Sequence, residues 1–157
     1  MDTNLGHLLV YGLSERVLAH VDIGKRMHDG RRLIAELDRL GAVAVPAHPF
    51  RESAFGTVLE RNLAEVAGVR IIEGYNGQNR PEDNQRALAL AERYGLRCVG
   101  GSDAHYLSHK WFLTCATVFE EPIASAADLV EALRYGTYRP LVLPAADGAD
   151  LPGPVLP

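Results

Sequence analysis

Long apolar runs and an excess of basic residues are both missing from this sequence. No stretch approaches the roughly 20 consecutive apolar residues of a membrane span, and the start lacks the basic and apolar regions of a signal peptide. Lys and Arg number 16 against 20 Asp and Glu, a formal net charge of -4, which argues against a dedicated nucleic-acid binder. We therefore expect no membrane or nucleic-acid partner. A small phosphorylated substrate stays compatible with this charge, since a bound metal ion supplies positive charge locally.

Cysteine is scarce as well. The two cysteines, Cys98 and Cys115, are set among apolar neighbours and form no CxxC pair. A zinc ribbon or a redox motif is therefore unsupported. We expect two buried, reduced thiols and a cytoplasmic protein.

Helical and strand patterns alternate along most of the chain. Its 157 residues, 47% of them hydrophobic, are enough for one domain with a real core. The patterns predict strands at 8–11, 42–47, 69–72, 96–99 and 116–119, and helices at 31–40, 58–67, 81–94 and 125–134. Such alternation is typical of a mostly parallel sheet with flanking helices, open or closed into a barrel. We expect one domain over residues 1–143, followed by a proline-rich tail over 144–157.

Polar residues with metal-binding chemistry follow several of the predicted strands. His48 follows the second strand, Glu73 ends the third, and Asp103 and His105 follow the fourth, while His7 precedes the first. In parallel α/β sheets, ligand-binding groups gather at the carboxyl ends of strands. Imidazole and carboxylate together form the ligand sets of zinc, iron and manganese. Taken singly, each of these residues is more often a loop, turn or ion-pair residue, so the prediction depends on their common placement.

Four short strings, in this order, resemble the later motifs of the PHP (polymerase and histidinol phosphatase) family of metal-dependent phosphoesterases. They are the segments 5–12 (LGHLLVYG), 47–49 (AHP), 72–77 (IEGYNG) and 101–105 (GSDAH). The resemblance runs from about residue 4 to 141 and implies the C-terminal portion of a distorted (β/α) barrel of PHP type, left incomplete. It also implies two or three divalent ions (zinc, manganese or iron) that activate water for hydrolysis of a small phosphate ester or nucleotide.

The resemblance assigns roles to six residues. It implies metal ligands at His7, His48, Asp103 and His105, and substrate-binding residues at Glu73 and Asn76.

The chain also departs from the family pattern. The family's opening His-x-His strand, with the Asp, His and bridging Glu that follow it, has no counterpart here. We therefore expect an N-terminally truncated phosphoesterase domain, with a degenerate, non-catalytic module for metal or partner binding as the alternative. Another (β/α)-barrel metallohydrolase, such as an amidohydrolase, is a third hypothesis. Because the strand at 8–11 would lack its neighbours, we expect either a homodimer through that exposed edge or a fragment of a longer gene product.

Overall fold

The computed structural model describes residues 1–51 and 68–143, and all structural statements below concern these residues. They form short strands and four helices, and the longest helix has 14 residues. In chain order the elements are β1 (Asp2–Thr3), β2 (Gly6–Tyr11), α1 (Glu15–Leu18), α2 (Gly30–Leu40), β3 (Val43–Pro46), β4 (Ile71–Asn76), α3 (Pro81–Tyr94), β5 (Arg97–Gly101), β6 (Cys115–Phe119), α4 (Ala126–Tyr135) and β7 (Tyr138–Val142).

The strands pair in three separate groups. Strands β1, β2 and β3 form an antiparallel sheet in that order, with β2 in the middle. Strands β4 and β5 form a parallel pair, and β6 and β7 an antiparallel pair. The expected fold, a mostly parallel sheet of an incomplete (β/α) barrel, is therefore wrong. Among the described residues one strand pair is parallel, and the strands close no barrel.

The direction of β3 explains why alternation of strands and helices misled the sequence analysis. After β2 and α1, the irregular segment 19–29 already carries the chain back to β1, where His28 N donates to Asp2 O at 2.9 Å. The helix α2 therefore starts beside β1, with Gly30 N donating to Asn4 Oδ1 at 2.8 Å. Because the chain has already returned to β1 before α2 begins, α2 carries it to the end of β2. Strand β3 must then run antiparallel to β2.

Local sequence signals set the helix boundaries. Asp29 caps α2 by accepting a hydrogen bond from Arg32 N at 3.1 Å, and Gly41 ends the helix in a left-handed conformation (φ 92°). Helix α3 begins at Pro81, whose fixed φ suits a first helical position. Both helices match the predicted ones to within about a residue, since caps act over a few neighbouring residues.

The remaining predicted elements were only partly right. The strands predicted at 8–11, 42–47, 96–99 and 116–119 are confirmed, but the third strand, predicted at 69–72, starts at Ile71 and continues through Asn76. The short elements β1 and α1 and the strand β7 were not predicted. The helix predicted at 58–67 and the tail at 144–157 lie outside the described residues.

Three apolar clusters form the core of the described structure. Helix α2 packs Leu33, Ile34 and Leu37 onto the first sheet, and α3 packs Ala87 and Leu90 against β4. A third cluster joins β3, β4, β5 and α4. None of the helices among residues 1–51 and 68–143 has the length and apolar character needed to cross a membrane.

Arginines close the end of the core where β3, β4 and β5 begin. Arg97 donates to the carbonyls of Arg134 and Gly136 at the end of α4, at 2.9 and 3.3 Å. Arg134 Nη2 donates to Asp38 O, Asp38 Oδ1 and Ala42 O at 2.9–3.2 Å. These bonds satisfy carbonyls that the ends of α2 and α4 leave without helical partners. They surround a cavity of about 180 Å³.

Candidate functional site

Antiparallel pairing of β2 and β3 brings the first predicted ligand pair together. His7 lies near the start of β2, and His48 follows the end of β3, where Ala47 N donates to His7 O at 3.0 Å. His7 Nδ1 lies 3.2 Å from His48 Nε2, and the two rings meet edge to face with centroids 5.0 Å apart. On its other side, His7 Nε2 lies 3.4 Å from Asp2 Oδ1. A parallel arrangement would have placed the two histidines at opposite ends of the sheet.

His48 is buried and held by its backbone. Its φ is 31°, a conformation that residues other than glycine rarely adopt, and its N–H donates to Glu73 Oε2 at 2.6 Å. The buried Nδ1 has no hydrogen-bond partner among the described residues. Burial first, and the charge of Arg51 second, lower the pKa of His48 to about 4. The imidazole is therefore neutral at physiological pH, the form that binds metals.

Glu73 anchors this loop from the centre of β4. It is only 4% exposed, and burial raises the pKa of its carboxyl to about 7, although hydrogen bonds from Asn76 and from His48 N–H oppose the shift. Asn76 Nδ2 donates to Glu73 Oε2 at 2.9 Å. A Cβ placed on Gly101 would lie 2.6 Å from Glu73 Oε1, so the absence of a side chain there leaves room for the carboxyl. Glu73 and Asn76 thus face other protein groups.

Arg51 is a site residue that the sequence analysis missed. Its guanidinium donates to Asp103 Oδ2 and Asn76 Oδ1, and its Nε donates to Asn79 Oδ1 at 2.9 Å. Asp103 itself has φ 53°, and Gln78 Nε2 donates to its carbonyl. Strained backbone persists where surrounding contacts hold it, and such residues cluster at functional sites. The only sequence signal for Arg51 is its position three residues after His48.

His105 is placed differently from the other predicted ligands. It is exposed, its Nδ1 lies 3.0 Å from Asp103 O, and its backbone N–H donates to His109 Nδ1 at 3.3 Å. The two rings lie 6.1 Å apart. The structure therefore brings His7 and His48 into contact and ties Asp103 to Arg51, while the ring of His105 lies beside His109.

The spacing of the two histidine nitrogens fits a shared cation. Two imidazole nitrogens at about 2.0–2.1 Å from a tetrahedral zinc ion lie about 3.3–3.4 Å apart. The observed 3.2 Å between His7 Nδ1 and His48 Nε2 is close to that value. Residues 1–51 and 68–143 contain no cluster of three or more His, Cys, Asp or Glu arranged for a metal ion. The pair thus offers two donors, and a full shell needs others.

The chain is similar to a family model, to a protein of known sequence and to a solved structure. Residues 81–138, which include Asp103 and His105, match a family model described as PHP-associated. A Methanocaldococcus jannaschii protein, printed as uncharacterized protein MJ0417, is 30% identical over 113 residues, covering 67% of this chain and 44% of the relative. The crystal structure of PsfC from Pseudomonas syringae PB-5123 matches with a TM-score of 0.67 and 24% identity, over 91% of this chain and 57% of that one.

These matches differ in what they establish. The likeness to PsfC concerns the fold, and the chain spans about half the length of the proteins that it matches. The family match covers α3 to α4 and leaves out His7, His48, Glu73 and Asn76. Residues 81–138 of the chain are therefore similar to a PHP-associated family model.

Proposed function

We propose that this chain is part of a metal-dependent phosphoesterase in which His7 and His48 hold a divalent cation. The observation that carries the proposal is the 3.2 Å distance between His7 Nδ1 and His48 Nε2, which suits two ligands of one ion. The PHP-associated match over residues 81–138 supports the same class of protein. Zinc, manganese and iron all accept imidazole ligands, and the rest of the shell comes from water or from residues beyond those described.

A bound ion would lower the pKa of its water and polarise the phosphoryl group of a small phosphate ester or nucleotide. The chain's own residues would prepare the site for that ion in two ways. Burial keeps the His48 imidazole neutral, and its backbone bond to Glu73 fixes the loop that carries it. Because Glu73 is buried and already accepts two hydrogen bonds, we assign it a positioning role in place of substrate contact.

Asp103 and His105 stay proposed ligands of further ions in the complete site. Asp103 is close enough to His48 for its charge to raise the pKa of the imidazole, against the larger opposing effects. The chain spans about half the length of the proteins that it matches, and we propose that a longer protein supplies the additional ligands. We propose a cytoplasmic enzyme acting on a small phosphorylated substrate, in line with the reduced state expected for both cysteines.

One observation favours the alternative of a non-catalytic module that binds a metal or a partner. The Asp103 carboxylate is engaged by Arg51, and the described residues hold no three-ligand cluster. In that case the His7–His48 pair binds one ion weakly, and the protein turns over no phosphate ester.

Metal binding and hydrolysis together test the proposal. Zinc or manganese should bind the purified chain at about one ion per chain, and His48→Ala should weaken binding at least 100-fold, because one of two protein ligands is gone. His20→Ala, an exposed histidine whose Nδ1 lies 2.8 Å from Arg16 O, is the matched control and should bind like the parent. Release of nitrophenol from p-nitrophenyl phosphate, lost in both His48→Ala and Asp103→Ala, distinguishes the enzyme from the binding module. A folded parent chain that takes up neither metal contradicts both the phosphoesterase and the metal-binding module.

A further inference from the structure

The ion pair between Arg51 and Asp103 lies at the candidate site and has no role in the function proposed so far. Resting on that proposed function, we propose that this pair is a latch that couples binding of a phosphate group to binding of a cation at His7 and His48. Without phosphate, the Arg51 guanidinium neutralises the Asp103 carboxylate. When a phosphate group binds the guanidinium in place of Asp103, the charge of the carboxylate can attract the cation.

Arg51 is built into the site from three sides. Three described acceptors of its guanidinium are side-chain oxygens: Asn76 ends β4, Asn79 lies between β4 and α3, and Asp103 follows β5. The described contacts of this guanidinium thus differ from those of Arg97, which go to backbone carbonyls, and of Arg134, which go to two backbone carbonyls and the Asp38 carboxylate. Arginine presents a planar fork that matches carboxylate and phosphate alike, so one can replace the other on the same nitrogens.

The pair is also within reach of a small anion. The side chains of Arg51 and Asp103 are each 23% exposed, so a phosphate group can approach without opening the core. Phosphate near neutral pH carries more negative charge than a carboxylate and offers more acceptor oxygens. Exchange of Asp103 for phosphate on Arg51 is therefore a substitution of one anion for another.

The exchange changes the field at the histidine pair. Arg51 N donates to His48 O at 3.0 Å and the Arg51 guanidinium holds Asp103, so both charges lie beside the loop that carries this imidazole. A guanidinium beside two neutral imidazoles opposes the arrival of a divalent cation. When phosphate neutralises Arg51, that opposition falls and Asp103 attracts the cation. By linkage, the cation must strengthen phosphate binding by the same factor.

Zinc affinity measured with and without phosphate tests the latch. Zinc is titrated into the apoprotein in competition with a chromophoric chelator, at several inorganic phosphate concentrations below the solubility limit of zinc phosphate. For the parent chain, phosphate should tighten zinc binding by roughly 5- to 150-fold, the usual range of coupling between two sites.

Three variants separate the latch from other causes. Arg51→Met should bind zinc about tenfold more tightly than the parent without phosphate, and phosphate should add little, because the repelling charge and its anion site are both gone. Arg51→Lys keeps the charge but not the fork and should show weak zinc binding with reduced coupling. Arg39→Met, which breaks an exposed pair with Glu36 on α2, should behave like the parent. Circular dichroism and melting curves check that each variant is folded.

Cobalt substitution gives a readout that a change in stability would not move. The visible spectrum of the cobalt-loaded parent should change when phosphate is added, as Asp103 approaches the ion, and that of Arg51→Met should not. The outcomes are distinct. If the parent and Arg51→Met bind zinc with equal affinity and respond equally to phosphate, the latch is overturned and the proposed function stands. Absence of zinc binding in the parent and in Arg51→Met overturns both.

Discussion

The two ends of strands β3, β4 and β5 use arginine in opposite ways. Where the strands begin, Arg97 and Arg134 bind mainly backbone carbonyls, together with the Asp38 carboxylate, and no described residue there other than glycine has a positive φ. Where the strands end, Arg51 binds a carboxylate and two amides, and both His48 and Asp103 have positive φ. One end lowers the free energy of the fold, and the other holds strained residues in place. Strain concentrated at one end marks that end as the functional one.

Removing Arg134 should give the largest loss of stability. In Arg134→Ala, Asp38 Oδ1 and Ala42 O lose this donor, and Asp38 O keeps only its bond from Gly41 N. We expect a decrease of about 3 kcal/mol in the free energy of unfolding, measured by urea denaturation, since bonds to charged groups contribute about 1.5–3 kcal/mol each and overlap. Arg93→Ala, an exposed arginine near the Tyr94 ring, is the control. Weaker zinc binding by folded Arg134→Ala would show that the two ends are not independent.

Gly101→Ala should disturb the opposite end. The new methyl group would lie 2.6 Å from Glu73 Oε1, so the buried carboxyl must move and weaken its bond to His48 N. We expect about 2 kcal/mol of destabilisation from overpacking, and weaker zinc binding as well. Gly95→Ala, at a left-handed helix end with open space around it, costs stability through its backbone alone. If Gly101→Ala loses stability but binds zinc like the parent, Glu73 does not position His48.

The pH dependence of stability should report on the end of the strands that carries Glu73 and His48. The raised pKa of Glu73, about 7 against an ordinary 4.5, means that the folded state keeps a proton that the unfolded state loses, so stability falls as pH rises through this window. The lowered pKa of His48, about 4 against 6.5, gives the opposite slope, and stability rises with pH between these values. In the metal-free parent the two slopes largely cancel.

Glu73→Gln removes one of these opposing slopes. Its stability should rise by about 1 kcal/mol between pH 4.5 and 6.5, as His48 alone remains coupled to folding. Urea denaturation in the presence of a chelator measures the change. A flat profile in Glu73→Gln would mean that His48 titrates in the folded state as it does in the unfolded chain, against the burial argument.

The smallest expected effect concerns the cysteines between the two ends. Burial raises the pKa of both Cys98 and Cys115 to about 11, so few thiolates exist at pH 8. Reaction with a disulfide reagent should be slow in the parent and become fast on addition of urea. Folded His48→Ala should react at the parent's rate and Arg134→Ala faster, because only the second variant raises the population of unfolded chains. Equal acceleration in both variants would mean that the site end also supports the core.

The boundaries of helices were predictable from the sequence, and the direction of a strand relative to its neighbour was not. The boundaries of α2 follow from Asp29 and Gly41, which act on neighbouring backbone groups. The direction of β3 depends on the irregular segment 19–29, whose return to β1 leaves no periodic pattern. Strand β7 escaped prediction because Pro140 lies in its middle, and proline weakens a strand pattern.

The candidate site shows the same division. The motif strings identified His7 and His48, and the structure joins them through an antiparallel pairing that the predicted fold did not contain. Arg51 escaped because an arginine in a loop carries no periodicity or spacing signal, and its partners come from three separate segments. The metal-binding roles predicted for His7, His48, Asp103 and His105 and the substrate-binding role predicted for Asn76 stay predictions, while Glu73 is now proposed to position His48.

The ladder between β2 and β3 ties the site to the core in a further way. Leu8 is buried opposite Pro46, while His7, its neighbour, points to the other face of the strand. A register slip of one residue would turn Leu8 toward the solvent side and drive His7 into the apolar interior. The alternation of buried and exposed residues in β2 therefore fixes the strand register that brings His7 and His48 together.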